Sequence, residues 1–194
     1  MNFGEALDRR PIIVAVAGSN GAGKTTFYQS HLKAAGLRFI NADTIARELD
    51  LDPYAAAKTA AAIRMELVNH RENFVFETVF SDPVGDKIAF LKQAIELGYT
   101  VVLCFIAISG WERSEERVAM RVSQGGHDVS TDKLIARIPR TLENLRKSIR
   151  ELPFVIVFDN DDIATPFRRI AVFENGKMSF KTKNLPAWLK SVLP

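Results

Sequence analysis

Cysteine is nearly missing from this sequence: Cys104 is the single one in 194 residues. That excludes a disulfide framework and any multi-cysteine zinc site, so stability has to come from the core. Cys104 lies in the apolar run at 100–108, TVVLCFIAI, with no histidine or acid beside it, and reads as a buried core thiol rather than a nucleophile. That run is the most apolar stretch present, and it falls short of the roughly 18 to 20 residues that span a bilayer. The opening residues MNFGEALDRRP mix acids with bases and hold no apolar stretch, which argues against a secretory signal. The expectation is a cytoplasmic protein with no membrane partner. A strong charge of one sign is also lacking: 26 basic against 23 acidic residues leave a net charge of +3, and aromatic residues make up only 9%. Such a balance does not suit a nucleic-acid surface, although its sign suits an anionic ligand.

What is present is an ordinary globular composition, 47% hydrophobic and 25% charged. A chain of this size can bury roughly 70% of its unfolded surface in one core. With no repeat, linker or low-complexity tract, one domain spanning 1–194 is expected. The runs at 12–17 (IIVAVA), 37–41 (LRFIN), 74–77 (FVFE), 101–108 and 154–158 (FVIVF) are short and do not alternate, as strands buried on both faces should read. Between them the spacing is helical. Ala56, Ala60, Ile63 and Leu67 share one face, with Asp52 as N-cap and Pro53 at the first position. Val84, Ile88, Leu91 and Ile95 share another, opened by Asp82-Pro83 and closed by Gly98. Strand and helix in alternation predict an α/β fold, a parallel sheet flanked by helices. Residues 111–151 are helical and charge-rich, interrupted by Gly125-Gly126 and Pro139; this predicts two or three helices forming a lid over about 111–150. Asn175-Gly176 between two short apolar runs predicts a β-hairpin over about 168–182.

Residues 18–25 read GSNGAGKT, an unbroken match to the phosphate-loop pattern, following a strand and opening a helical segment at 24–35 that Gly36 ends. Gly18, Ser19, Asn20, Gly21, Ala22 and Gly23 supply backbone N–H groups that converge on phosphate oxygens. Lys24 reaches the outer phosphates, the Thr25 hydroxyl can ligate Mg²⁺, and Thr26 completes the turn. ATP and Mg²⁺ are the ligands expected.

The strand ends beside the loop carry the chemistry. Asp43, after FIN, either takes a proton from an attacking hydroxyl or caps the next helix. Glu77 ends FVFE, and Asp159 ends FVIVF within DNDD; both compete for the metal-linked role, with Glu77 favoured because the Asp159 cluster reads as a solvated loop. Arg113, Arg117 and Arg121, spaced by four, form one helical stripe able to face a triphosphate, interleaved with Glu112, Glu115 and Glu116. His127 follows the glycine pair and reads as structural. Arg137 and Arg140 flank Pro139 and stand apart from an otherwise solvated basic face. The reading on these residues is a small-molecule kinase; the alternative is a nucleotide-binding switch or regulatory ATPase acting through a partner protein.

AGSNGAGKTTF, FINADTIA, FVFETVFS, RVSQGGHDVS and RIPRTLENL, in that order and spacing, resemble the zeta-toxin family of P-loop kinases over about residues 11–160. The resemblance implies a kinase-like sheet with a helical lid, an antitoxin partner, and phosphorylation of a hydroxyl by ATP and Mg²⁺. In characterised zeta toxins that hydroxyl belongs to the sugar of UDP-N-acetylglucosamine. Lys24 and Thr25 match the phosphate and Mg²⁺ residues, Asp43 the catalytic base, and Glu77 the substrate- or metal-linked acid with Thr78 beside it. Arg117 or Arg121 corresponds to a lid arginine. After Glu77 the sequence reads TVFSD, where many members carry a second threonine and a leucine.

Overall fold

In the computed structural model, which describes residues 8–123 and 129–193, the apolar runs become strands of one sheet. They are β1 (Ile12–Ala17), β2 (Arg38–Ile40), β3 (Phe74–Thr78), β4 (Thr100–Ala107), β5 (Phe154–Asp159), β6 (Arg168–Glu174) and β7 (Lys177–Lys181), ordered β2-β3-β1-β4-β5-β6-β7. The first five are parallel, and β6 and β7 add on antiparallel. The predicted hairpin therefore exists, with Asn175 and Gly176 at φ 50° and 77°, as an extension of the main sheet. The lack of alternation has a simple cause in β1. Ile13, Ala15 and Ala17 enter one core with Phe74, Phe76 and Leu145, while Ile12, Val14 and Val16 enter a second with Phe27, Val102 and Ile156. A strand covered on both faces has no solvent side to mark. Cys104 is buried on β4, and that burial pushes its thiol up to about 12.

The helices are α1 (Lys24–Phe27), α2 (Ala42–Leu49), α3 (Pro53–Asn69), α4 (Asp86–Glu96), α5 (Gly110–Ser123), α6 (Thr131–Glu151) and α7 (Ala187–Val192). α1 runs on through a π turn and a 3₁₀ turn to Gly36 at φ 67°, so the segment at 24–35 is helical throughout but changes pitch. α3 starts as expected, the Asp52 carboxylate accepting from the N–H groups of Tyr54 and Ala55. α4 does not. Gly85 sits at φ 82°, outside helical space, so the helix begins at Asp86 rather than at Asp82-Pro83, and Val84 is left exposed. Pro139 also fails to break its helix: α6 runs unbroken past it. Proline removes one intrahelical hydrogen bond; the buried face formed by Leu134, Leu145 and Ile149 keeps the helix whole. Gly125, Gly126 and His127, and the side chain of Arg121, lie outside the described residues. Among the described residues, no helix is long and apolar enough to cross a membrane.

Candidate active site

The parallel strands deliver the phosphate loop, Asn41, Glu77 and Asp159 to the carboxyl ends of the strands, where the strand order switches direction on either side of β1. The loop bends back on itself, with the Ala22 N–H and the Lys24 ammonium both donating to the Ser19 carbonyl, the latter at 3.0 Å. The first turn of α1 then presents backbone amides that have no acceptor within the helix.

Helix α5 packs directly onto this loop. Ser114 donates to the Asn20 carbonyl at 2.6 Å. Gly21 has φ 73°, and a Cβ there would stand 2.9 Å from the Ser114 carbonyl oxygen and 3.2 Å from Arg117 Cβ, so no larger residue fits between loop and helix. Arg137 of α6 donates to the Asn20 side-chain oxygen at 3.0 Å. One loop residue thus anchors both helices of the expected lid. The helix break expected beside Arg137 does not form, and the position matters because the side chain faces Asn20. Arg140 is exposed.

Glu77 is the centre of the polar arrangement. Its carboxylate accepts from the Thr25 hydroxyl at 2.7 Å and from the Asn41 amide at 2.9 Å, with the Lys24 ammonium 3.8 Å away. Asn41 in turn caps α2, its side-chain oxygen accepting from the N–H groups of Asp43 and Thr44. The cap is therefore Asn41, not Asp43, whose carboxylate stands exposed in the first turn of α2. The signal for Asn41 was present, since asparagine is among the best N-caps; its second role as a tie to Glu77 was not legible. Thr78 accepts from the Phe80 N–H at 3.1 Å.

Asp159 points elsewhere. It accepts from Arg168 at 2.8 Å. The reading of its surroundings as a solvated loop holds for Asp162, which is exposed, and is corrected for Asp159 and Asn160, which are both buried. Asn160 donates to the Ala22 carbonyl at 2.8 Å, fixing the phosphate loop from the far side. Arg117 donates to the Asn160 carbonyl at 2.7 Å, and Arg113 to the Asp161 carbonyl at 3.3 Å. These two arginines tie α5 to the loop after β5.

Two cavities flank this centre. One of about 760 Å³ is lined by Gly21, Gly23, Thr25, Thr26, Arg117 and Asn160, with His31 and Phe167 forming an aromatic wall. The other, of about 430 Å³, is lined by Asn20, Asn41, Asp43, Thr78, Lys87 and Arg137, and by Arg64 of α3. Lys24 and Glu77 belong to both. Arg64 and Phe167 were missed in the sequence, where one reads as part of a helix face and the other as a loop aromatic. The Thr25 hydroxyl and the Glu77 carboxylate, two hard oxygen donors in contact beside a lysine, fit a Mg²⁺ ion that takes its remaining ligands from phosphate and water.

Residues 13–145 match the AAA domain family. The chain belongs to that family. No curated protein matches it in sequence. Among solved structures, a chain of the AvrRxo1-ORF1:-ORF2 complex crystallised with ATP is similar with a TM-score of 0.73 and 17% identity, over 97% of this chain and 65% of that one. The chain thus spans somewhat less than two thirds of the length of that relative. A chain of the PezAT chromosomal toxin–antitoxin system of Streptococcus pneumoniae gives a TM-score of 0.61 at 17% identity, over 96% of this chain and 78% of its own. A gluconokinase from Sinorhizobium meliloti 1021 gives 0.52 at 21% identity, over 82% and 86%. This AAA domain therefore has the P-loop kinase fold.

Proposed function

We propose that this protein is an ATP- and Mg²⁺-dependent phosphotransferase that moves the γ-phosphoryl group of ATP onto a hydroxyl of a small molecule. What carries the reading is the shared wall. A cavity lined by the phosphate loop and a cavity lined by Asp43 meet at Lys24 and Glu77, the layout that transfer between two substrates requires. A switch or a simple ATPase needs only the first cavity.

In the larger cavity the loop amides and Lys24 bind the triphosphate and hold its terminal group at the wall. Thr25 and Glu77 would hold Mg²⁺, which when bound offsets the charge of the phosphate oxygens. In the smaller cavity the acceptor hydroxyl passes its proton to the Asp43 carboxylate as its oxygen bonds to phosphorus. The bond from phosphorus to the bridging oxygen breaks, and ADP leaves. Lys24, Arg117 and Arg137 surround the transferring group with positive charge, and Arg121 is the other arginine of the α5 stripe assigned to that task. Asn41 holds the Glu77 carboxylate through its amide N–H and fixes the backbone at Asp43 through its oxygen. Helices α5 and α6 form the lid, and the whole chain acts as one domain.

The acceptor class suggested by the resemblance to zeta toxins is a UDP-N-acetylsugar. The similarity to a chain of the PezAT toxin–antitoxin system supports an antitoxin protein as partner; the cytoplasm is the site of action that goes with this reading. The test is a pair of variants. Asp43→Asn is expected to bind ATP as the wild type does and to lose transfer by about 10²-fold or more; Lys24→Ala is expected to weaken both. Transfer by Asp43→Asn at the wild-type rate removes the base assignment.

A further inference from the structure

We infer that the acceptor carries an anionic group, a phosphate or a carboxylate, and that Arg64 holds it on the α3 wall of the smaller cavity. Pro53, Ala57, Ala60 and Arg64 all line that cavity, and their spacing puts them in one stripe along α3. Three small residues leave the floor open, and a long cation rises from the same stripe. Arg64 is only 6% exposed. Among the described residues it makes no hydrogen bond or ion pair, and its Nε is buried without a partner. Its guanidinium lies over the rings of Phe76, at 4.9 Å, and Phe90, at 5.5 Å. Those faces orient the group and stabilise it partly, but they offer no acceptor for its donors.

Buried charges are ordinarily paired, because a lone one forfeits its hydration. Burial holds the Arg64 pKa down at about 10, which still leaves the group charged at neutral pH. A guanidinium presents its donors in a planar fork that matches a phosphate or carboxylate edge to edge. Lys87, Lys133 and Arg137 line the same cavity, whose carboxylates are Asp43 and Glu77, so cations outnumber anions around the acceptor. A neutral acceptor would leave Arg64 buried and unsatisfied; an anionic one completes it. The inference rests on the phosphotransfer reading for what the bound anion is for, while anion binding itself can be tested without any transfer.

The experiment uses the full chain with its phosphate loop saturated by a non-hydrolysable ATP analogue and Mg²⁺, and inorganic phosphate as the probe in calorimetry. Arg64→Met keeps the apolar packing on Phe76 and Phe90 without the charge; Arg64→Lys restores charge without the fork. Phosphate is expected to bind the wild type, to bind Arg64→Met at least about tenfold more weakly, and to recover partly in Arg64→Lys. The melting temperature of Arg64→Met is expected to equal or exceed that of the wild type, since a buried unpaired charge is removed. In the transfer arm, labelled ATP is offered with glucose 6-phosphate or glucose, and with gluconate or sorbitol. The anionic member of a pair is expected to show the lower KM, Arg64→Met to raise that KM more than it lowers kcat, and the responding pair to tell phosphate from carboxylate. Equal phosphate binding by wild type and Arg64→Met, no phosphate binding by the wild type, or a lowered melting temperature that makes Arg64 a core strut would each overturn the inference. Arg64-dependent phosphate binding without transfer to any acceptor counts against the phosphotransfer reading and leaves the anion site standing; transfer indifferent to Arg64 does the reverse.

Discussion

Replacing Glu77 by glutamine separates its metal role from its structural one. The carboxylate takes two donors, the Thr25 hydroxyl at 2.7 Å and the Asn41 amide at 2.9 Å, and its side chain is 12% exposed. Both donors reach the same carboxylate oxygen, Oε2, so the single acceptor oxygen of glutamine can hold both while its NH₂ group takes the place of the oxygen facing Lys24. What is lost is the negative charge that strengthens those bonds and holds the metal. A hydrogen bond to a charged group contributes about 1.5–3 kcal/mol, which at about 1.4 kcal/mol per factor of ten corresponds to roughly 10- to 150-fold. Titration of a fluorescent ATP analogue reads this directly. With Mg²⁺ present, Glu77→Gln is expected to bind the analogue about 10- to 150-fold more weakly than the wild type. With Mg²⁺ chelated it is expected to bind no less well, because a negative charge has been removed beside Lys24 and the phosphates. Asp159→Asn is the control: Asp159 pairs with a half-exposed arginine, and its loss should change Mg²⁺-dependent affinity by less than about five-fold. Equal weakening of Glu77→Gln with and without Mg²⁺, or a larger loss in Asp159→Asn, refutes the assignment of the metal to Glu77.

The packing sets three further expectations. Arg137→Ala removes the α6 contact to the Asn20 side chain and should lower kcat/KM by about tenfold through one lost charged hydrogen bond; steady-state kinetics with an unchanged melting temperature confirm it. Leu145→Ala empties a fully buried site between α6 and the sheet and should cost about 2–5 kcal/mol in denaturant unfolding. Cys104, with its thiol held up at about 12, should resist alkylation at pH 8 in the native state and react on unfolding. Because this folded-state pKa is raised above the ordinary thiol value of 9.0, the thiol's contribution to stability is complete below about pH 9 and falls as pH rises towards 12.

The inner strands and the phosphate loop were legible because each depends on a local pattern. IIVAVA and FVIVF can only be satisfied by burial on both faces, and GSNGAGKT directly behind a strand leaves the backbone little choice but a phosphate-binding turn. Gly85 shows where local reading stops: apolar spacing placed Val84 on a helix face, while a positive φ at the next residue set the boundary. Pro139 shows the opposite override, a helix breaker tolerated because tertiary burial outweighs one lost hydrogen bond. The site was half legible. Lys24, Thr25, Asp43 and Glu77 stand at or just beyond strand ends that any parallel sheet brings together, whereas Asn41, Asn160 and Arg64 act through partners 36, 138 and a dozen or more residues away. Nothing in the run AAAIRMEL says that Arg64 is buried over Phe76 and Phe90, since that depends on how α3 packs across β3 and α4.

The most direct test of the phosphotransfer reading is mass spectrometry of small molecules after incubation of the protein with ATP, Mg²⁺ and a panel of UDP-sugars, nucleotide cofactors, sugar phosphates and hydroxy acids. Phosphotransfer requires one acceptor that gains a single phosphoryl group in step with ADP formation, with the gain abolished in Asp43→Asn. ADP and free phosphate formed at equal rates in wild type and Asp43→Asn, with no phosphorylated small molecule in either, would contradict it.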